Sequence, residues 1–187
     1  CLAQVRDLVT LLDQNEIYPA KKEASIKKRF SKIDSILPEE SRKIYDVKDV
    51  INELLDKNSF MEIQSEFAKN VVVGLGKLGE ITVGIIANQP HFMGGVLDCN
   101  SSDKAARLIR FCDSQNIPII SLVDVPGFMP GIEQEHMGII RHGAKLLYAY
   151  AEATVPKLTV ILRKSYGGAY IGMCSKHLKA DYVYAWP

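Results

Sequence analysis

The sequence predicts an α/β fold in which strands buried on both faces alternate with helices along most of the chain. Two observations predict it. Short runs that are apolar at nearly every position recur between residues 60 and 185, and most are separated by segments whose apolar residues have helical spacing. The composition, 47% hydrophobic and 24% charged over 187 residues, also supplies enough apolar side chains for one sizeable core.

The first elements precede this alternating region. Apolar residues at helical spacing predict a helix from Cys1 to about Leu12. The stretch from Asn15 to Arg42 is highly charged and contains Pro19 and Pro38, which is typical of a linker between two units. Its basic cluster is interpreted as part of a solvated linker, and a nucleic-acid patch is the alternative. The cluster consists of Lys21, Lys22, Lys27, Lys28 and Arg29.

The compact region begins near Tyr45. Asp46 is expected to cap a short helix that ends near Lys57, because an N-cap carboxylate accepts hydrogen bonds from free backbone amides. A long helix at 133–154 is apolar nearly all round, so we expect it to be buried, with another chain as one possible cover. The other expected elements are strands at 60–63, 70–74, 81–87, 117–123, 156–162 and 181–185 and helices at 104–116 and 168–176.

Charge and hydropathy argue against several classes of protein. The 23 basic and 22 acidic residues give a net charge of +1, so no global field favours nucleic acid or a membrane surface. The longest apolar runs are far shorter than the roughly 18 residues of a membrane-spanning helix. The four cysteines are scattered without a C-x-x-C pair, so we expect free thiols in a reducing compartment, although two disulfides are arithmetically possible.

Several candidate sites have simpler interpretations. Gly74–Gly79 matches G-x-G-x-x-G, but a second strand follows it, so a hairpin is favoured over a dinucleotide site. Glu133, Glu135 and His136 are possible acid–base groups, yet acidic residues also favour a helix N-terminus. Ser165 lacks the G-x-S-x-G setting of a nucleophile. None of the four histidines has metal-ligand spacing.

Two loops lie where an open α/β sheet binds ligands, after the carboxyl ends of strands. Residues 124–131 and 163–170 each leave an apolar strand and enter a helix. Gly167, Gly168 and Ala169 lack bulky side chains, and the amides at a helix start are free to bind a ligand. Two such amides suit an oxyanion hole. A tight helix–sheet contact that needs small residues is the alternative, and the residues alone leave both open.

Longer motifs surround these loops. They are Ser41–Val47, Gly84–Pro90, Val123–Phe128, Gly138–Leu147, Arg163–Tyr170, Ser175–Leu178 and Tyr184–Pro187. In this order they resemble the carboxyltransferase subunits of biotin-dependent acyl-CoA carboxylases, a family that includes propionyl-CoA carboxylase beta chains and methylmalonyl-CoA carboxyltransferase and decarboxylase alpha subunits. The likeness runs from about Asp34 to the end of the chain.

The resemblance implies a crotonase-like (ClpP/crotonase) fold with ββα units. Subunits of this family have two such halves, and this chain is similar to the second, C-terminal half. Residues 1–15 would then be the tail of a preceding carboxyltransferase half and residues 16–44 a linker. Residues 45–187 would form the C-terminal carboxyltransferase domain, truncated at its end.

The resemblance also implies a reaction, the transfer of a carboxyl group between N1 of biotin and the α-carbon of a short acyl-CoA such as propionyl-CoA or methylmalonyl-CoA. Biotin would arrive on a separate carrier domain, and no metal would be needed. Gly168 and Ala169 would supply the catalytic amides of an oxyanion hole that faces biotin. The implied substrate-binding residues are Gly167, Tyr170, Ile171, Phe128, Met129, Pro130 and Gly131. Ile171 stands where many propionyl-CoA carboxylases have Asp, which leaves acyl preference and the direction of transfer open.

The implied partners are an N-terminal carboxyltransferase half, biotin carboxyl carrier and biotin carboxylase subunits, and further copies of the subunit in a dimer of opposed halves within a hexamer. Nucleic acid is not an expected partner. The expected location is the cytoplasm, or the mitochondrial matrix in a eukaryote. Because the family shares its site between two subunits, we expect the isolated chain to be inactive.

Two alternatives remain at this point. A crotonase-type hydratase or isomerase would act on acyl-CoA without biotin, but it needs a pair of glutamates over the acyl pocket that the sequence does not place. A non-catalytic half that serves assembly and docking of the biotin carrier is the other alternative.

Overall fold

Six strands form one sheet in chain order in the computed structural model, which describes residues 2–12, 32–40, 43–79 and 81–186. The strands are β1 (Met61–Ile63), β2 (Val71–Leu78), β3 (Ile81–Asn88), β4 (Ile119–Val125), β5 (Lys157–Ser165) and β6 (Tyr182–Ala185). The helices are α1 (Leu2–Leu12), α2 (Ile33–Ile36), α3 (Val47–Leu54), α4 (Cys99–Ser114), α5 (Ile132–Met137), α6 (Ile139–Glu152) and α7 (Gly167–Gly172). Short 3-10 turns occupy Met93–Gly95 and Lys176–Leu178.

The sheet is mixed. Strands β1, β2 and β3 pair antiparallel, whereas β3, β4, β5 and β6 pair parallel, and a helical connection follows each of β3, β4 and β5. Parallel neighbours need such crossovers because the end of one strand and the start of the next lie at opposite edges of the sheet. The predicted alternation of strands and helices is therefore confirmed.

Alternate residues of the central strands enter two separate cores. On one face, Val73, Ile86 and Val123 join a cluster with α1, α4, α6 and α7. On the other face, Ile85 and Leu122 join a second cluster with α2 and α3. Burial on both faces explains why these strands are apolar at nearly every position.

The first helices pack onto this sheet. Leu11 of α1 lies in the first core, and its carbonyl oxygen accepts a hydrogen bond of 2.8 Å from the Thr82 hydroxyl. Within the predicted linker, Ile33 and Leu37 are buried in the second core. The predicted basic cluster lies outside the described residues, so the proposed boundaries at 15 and 44 stay predictions.

Two helices differ from expectation because of local backbone chemistry. Helix α4 begins at Cys99, five residues before the predicted start, because Asp98 and Ser101 form a capping box with hydrogen bonds of 2.8 and 2.9 Å. The single long helix predicted at 133–154 is wrong. Gly138 has φ +87°, which breaks it into α5 and α6.

The expected burial of that long helix holds for one face of α6 only. Leu146 and Tyr150 are fully buried, whereas Ile140 is 84% exposed and Tyr148 is 63% exposed. Helix α5 has no buried residue. The short helix predicted at 168–176 is also shorter, because α7 ends at Gly172.

The hairpin expected around Gly74–Gly79 joins β2 to β3, and its turn contains Gly79 with φ +59°. Gly74 and Gly76 lie inside β2, where a Cβ would collide with the Phe60 ring and with Leu55. A strand follows the turn rather than a helix, which excludes the dinucleotide site.

A buried lysine ties α4 to the turn before β2. The Lys104 side chain is 2% exposed, and its ammonium donates to the carbonyl oxygens of Phe67 at 2.7 Å, Ala68 at 3.3 Å and Val71 at 2.7 Å. Burial lowers the pKa of Lys104 to about 8, which the nearby Glu62 carboxylate partly opposes. Three accepting carbonyls use all three ammonium donors, so the role of this cation is structural.

Cys99, Cys112 and Cys174 are free and buried, and burial raises the pKa of each thiol. None of the helices in the described ranges is long and apolar enough to cross a membrane.

The break at Gly138 generates a stability prediction. Gly138→Ala should lower the free energy of unfolding by about 1–2 kcal/mol, because an L side chain is strained in the left-handed region. Gly138→Asn should lose less, since asparagine tolerates that region better. Urea denaturation followed by circular dichroism measures both variants, and equal stability of Gly138→Ala and the parent chain would contradict the assigned backbone.

Candidate functional site

The two loops singled out in the sequence lie together at the carboxyl edge of the parallel strands. One follows β4 and the other follows β5, and these strands are neighbours in the sheet. The Tyr166 amide donates to the Val125 carbonyl oxygen at 3.2 Å, which joins the start of one loop to the start of the other. This edge is where ligands bind in open α/β sheets.

The turn from β5 into α7 leaves three backbone amides unpaired. Tyr166 is extended, Gly167 has φ +57°, and the first hydrogen bond of α7 runs from Tyr170 N to Tyr166 O at 3.3 Å. The amides of Gly167, Gly168 and Ala169 therefore have no acceptor in the described part of the chain. Donors of this kind can stabilise a bound oxyanion.

The structural requirement for a small residue differs from position to position in this turn. Gly167 needs its positive φ, whereas Gly168 has ordinary φ, and a Cβ there would meet nothing within 4 Å. A tight helix–sheet contact therefore does not explain Gly168. It does explain Ala169, whose side chain is fully buried. At Gly172 a Cβ would make only an ordinary contact, 3.5 Å from the Phe128 ring. The helix is anchored through its small side chains while Gly168 stays exposed.

The loop after β4 is held by a short bridge to Leu97. Leu97 N donates to Gly127 O at 3.0 Å, and Met129 N donates to Leu97 O at 2.7 Å. The Phe128 ring packs beside Gly143 of α6, where a Cβ would lie 3.2 Å from it. Phe128 thus fixes the loop against α6 and α7, while Pro130 and Gly131 are exposed.

A buried ion pair lies at the root of both loops. Asp124 is 1% exposed, and its Oδ2 accepts hydrogen bonds from Arg163 Nε at 2.9 Å and Nη2 at 2.8 Å. Its Oδ1 accepts from the Lys164 amide at 3.1 Å. Asp124 and Arg163 both lie in motifs noted in the sequence, but no role was predicted for either residue.

The Arg163 guanidinium also holds the chain segment before α3. Its Nη1 donates to the carbonyl oxygens of Glu40 at 3.2 Å and Lys43 at 2.8 Å, and it stacks 4.6 Å from the centre of the Tyr45 ring. One side chain therefore connects β4 and β5 with Glu40, Lys43 and Tyr45. The guanidinium of arginine can place two nitrogens on one carboxylate oxygen and a third on two carbonyl oxygens, and the ammonium of lysine cannot.

The hydroxyl of Tyr45 is buried without a hydrogen-bond partner in the described ranges. Burial raises the pKa of Tyr45 strongly, and the Asp124 carboxylate raises it further, although Arg163 opposes the shift. The phenol is therefore neutral at physiological pH and cannot serve as a base.

A cleft of about 500 Å³ adjoins the turn before α7. Arg163, Lys164 and Tyr166 line one side, and Leu37 and Trp186 line another. The cleft is large enough for a small organic molecule.

The other ionisable candidates lie elsewhere. Glu133, Glu135 and His136 are exposed on α5, with Glu133 and Glu135 in its first turn, as the helix-terminus interpretation expects. His142 is paired with Asp103 at 2.9 Å in a cluster with Lys145 that joins α4 to α6.

In the Asp103 cluster, burial raises the pKa of the carboxyl group, but the hydrogen bonds from His142 and Lys145 outweigh it and lower the pKa overall. Across the described ranges, no group of three or more His, Cys, Asp or Glu side chains could hold a metal ion.

Comparison with known proteins extends this description. A model of the carboxyl transferase domain matches residues 1–187. The chain is 56% identical to the carboxyltransferase subunit of propionyl-CoA carboxylase from Haloferax mediterranei and 48% identical to methylmalonyl-CoA decarboxylase subunit alpha from Propionigenium modestum. Each alignment covers 100% of this chain and 37% of the relative, so the chain spans little more than a third of the length of these curated relatives.

Solved structures of carboxyltransferase subunits resemble this chain. A hexamer-forming transcarboxylase 12S, with methylmalonyl-CoA and methylmalonic acid bound, matches with a TM-score of 0.91 at 46% identity, covering 99% of this chain and 36% of that one. The beta subunit of geranyl-CoA carboxylase from P. aeruginosa matches with a TM-score of 0.81 at 31% identity, covering 100% and 35%. These neighbours have the crotonase-like fold, so that prediction is confirmed.

The orphaned hydroxyl generates a prediction. Tyr45→Phe should leave the free energy of unfolding unchanged or raise it by about 1 kcal/mol, because it removes a buried unpaired polar atom and keeps the ring under Arg163. Tyr45→Leu, which removes the ring, should destabilise the chain. Urea unfolding measures both, and a clear loss of stability in Tyr45→Phe would mean that the hydroxyl has a bound partner.

Proposed function

Because the chain belongs to the carboxyl transferase domain family, as its motifs predicted, we propose that it is the biotin-facing half of a biotin-dependent acyl-CoA carboxyltransferase. The enzyme moves a carboxyl group between N1 of biotin and the α-carbon of a short acyl-CoA. The observation that carries this proposal is the set of unpaired amides at Gly168 and Ala169, at the carboxyl edge of the parallel strands.

The residues of this turn suit an oxyanion. N1-carboxybiotin supplies the carboxyl group, and its loss leaves negative charge on the ureido oxygen. The amides of Gly168 and Ala169 donate to that oxygen where the charge develops, which lowers the barrier without a charged side chain. Gly168 has no Cβ, so a flat ring can approach the amides closely. Its open surroundings support this role, since no atom of the described residues lies within 4 Å of where a Cβ would stand.

The surrounding residues form the rest of the proposed pocket. Gly167, Tyr170 and Ile171 belong to the same turn and helix, and Ile171 is 37% exposed. Met129, Pro130 and Gly131 lie in the neighbouring loop, which Phe128 anchors. We assign these residues to substrate binding. Substrates such as propionyl-CoA and methylmalonyl-CoA are in keeping with the names of the relatives.

The proposed enzyme includes parts other than this chain. The relatives are longer than this chain. We propose three further parts: an N-terminal half that contains the second oxyanion hole, a separate biotin carrier, and a biotin carboxylase. Assembly into a hexamer would parallel the transcarboxylase 12S structure. Four apolar side chains on α5 and α6 are exposed and could be buried in such an interface: Ile132, Met137, Ile140 and Tyr148. Relatives from bacteria, archaea and mitochondria fit a cytoplasmic or matrix location.

Co-expression tests the function. The chain is expressed with the N-terminal half of a close relative, and transfer of labelled carboxyl from N1-carboxybiotin to propionyl-CoA is measured. We expect transfer only when both halves are present. An assembled complex with no transfer would support a purely assembly role instead, and hydration of crotonyl-CoA without biotin would support the hydratase alternative.

Gly168 offers a sharper prediction. In the assembled enzyme, Gly168→Ala should lower kcat by roughly tenfold or more, because the added methyl group holds the substrate away from the amides. The melting temperature should stay near that of the parent, since the new Cβ meets open space.

Gly79→Ala is the matched control. It also adds a Cβ in open space, but at φ +59° and in the hairpin distant in sequence from the site, so it should lose stability and keep kcat. Unchanged kcat in Gly168→Ala would contradict the assignment of this turn to the reacting group.

A further inference from the structure

Strand β5 departs from regular pairing just before the proposed oxyanion turn. Val123 pairs with Ile161 and Val125 pairs with Ser165, so three residues of β5 lie opposite Asp124 alone. This two-residue excess is a bulge, which locally breaks the ladder of backbone hydrogen bonds. Bulges re-aim the chain that follows them, and here that chain is the start of α7.

The Asp124 side chain takes the place of the missing ladder. One carboxylate oxygen accepts from the Lys164 amide at 3.1 Å, and the other accepts from Arg163 Nε and Nη2 at 2.9 and 2.8 Å. Both residues of β5 that it holds belong to the bulge. Regular pairing resumes at Ser165, and Tyr166 N then donates to Val125 O at 3.2 Å.

We propose that Asp124 is a positioning residue, whose carboxylate sets the shape of the β5 bulge and so fixes the amides of Gly168 and Ala169 where the reacting oxygen binds. The inference deepens the proposed function and rests on it for its catalytic consequence. Tyr166 is the N-cap residue of α7, so any change in the bulge is carried within two residues to Gly168.

The ionic character of the pair argues for positioning rather than stability. Asp124 is 1% exposed and the Arg163 side chain 9%, and the desolvation of such pairs offsets much of their attraction. Two apolar side chains could fill the same space, but they would leave the carbonyls of Glu40 and Lys43 and the Lys164 amide without these partners. Only a carboxylate accepts from both the Lys164 amide and the Arg163 guanidinium, and these bonds fix the course of the bulge.

The first test measures the amides directly. In the 187-residue chain labelled with ¹⁵N, Asp124→Asn replaces one accepting oxygen by a donor. We expect the amide resonances of Gly168 and Ala169 to shift, and the hydrogen exchange of the Tyr166 amide, which is bonded to Val125 O, to speed up by about tenfold or more. This measurement requires no biotin and no substrate, so it decides the positioning claim even if the proposed function fails.

The second test measures catalysis in the enzyme assembled with its N-terminal half. Asp124→Asn should lower kcat by about tenfold to a hundredfold, while KM for the acyl-CoA changes less than about threefold, because misplaced donors act on the reacting state rather than on binding. Lys104→Met is the control, since it removes another buried cation that holds carbonyl oxygens. It should lower stability without changing kcat or the two amide resonances.

A double variant separates positioning from folding. Asp124→Leu with Arg163→Met removes both buried charges and should still fold, with a lowered melting temperature because the carbonyls of Glu40 and Lys43 and the Lys164 amide lose their partners. We expect its kcat to stay low and the Gly168 and Ala169 resonances to remain shifted. Parental kcat in this folded variant, or unchanged resonances in Asp124→Asn, would overturn the proposal.

Discussion

The buried ion pair between Asp124 and Arg163 is the interaction on which the candidate site depends. It connects the neighbouring strands β4 and β5 at the edge where both proposed loops begin, and the same guanidinium holds the carbonyls of Glu40 and Lys43. Without it, Arg163 and Lys164 of β5 would lose their side-chain contact with β4, and the turn before α7 would be held by the backbone pairing at Val125 and by the buried side of that helix. The pair thus links the two cores, since Lys43 and Tyr45 precede α3 on one face and α7 packs on the other.

The site is built largely from backbone groups, and the rest of the chain supplies rigidity rather than reactivity. Its buried ionisable side chains are committed to structural contacts: Lys104 to three carbonyls and Asp124 to Arg163, while Tyr45 stays protonated. Chemistry that develops charge on a carbonyl-type oxygen needs donors fixed in place, and a strong protein base is dispensable when the departing group can accept the proton. A sheet buried on both faces is a suitable frame, because close-packed interiors deform little.

Much of the fold could be predicted from the sequence because its strands are short, continuous apolar runs. The loops after β4 and β5 could also be located, since their glycines and prolines follow such runs directly. The break at Gly138 was missed, although a glycine within a helical pattern was a signal for it. The start of α4 was missed too, although Asp98 followed by Ser101 is a capping sequence. The role of Asp124 could not be predicted, because the bulge exists only once β4 and β5 are paired, and β5 runs three residues past its predicted end.

The central claim is that the amides of Gly168 and Ala169 bind the ureido oxygen of biotin. A crystal structure of the enzyme assembled with its N-terminal half and with biotin bound tests it most directly. The account predicts that oxygen within about 3 Å of both amide nitrogens, with the ring lying over Gly168. Biotin bound elsewhere, for example in the cleft beside Trp186 with both amides facing water, would contradict it.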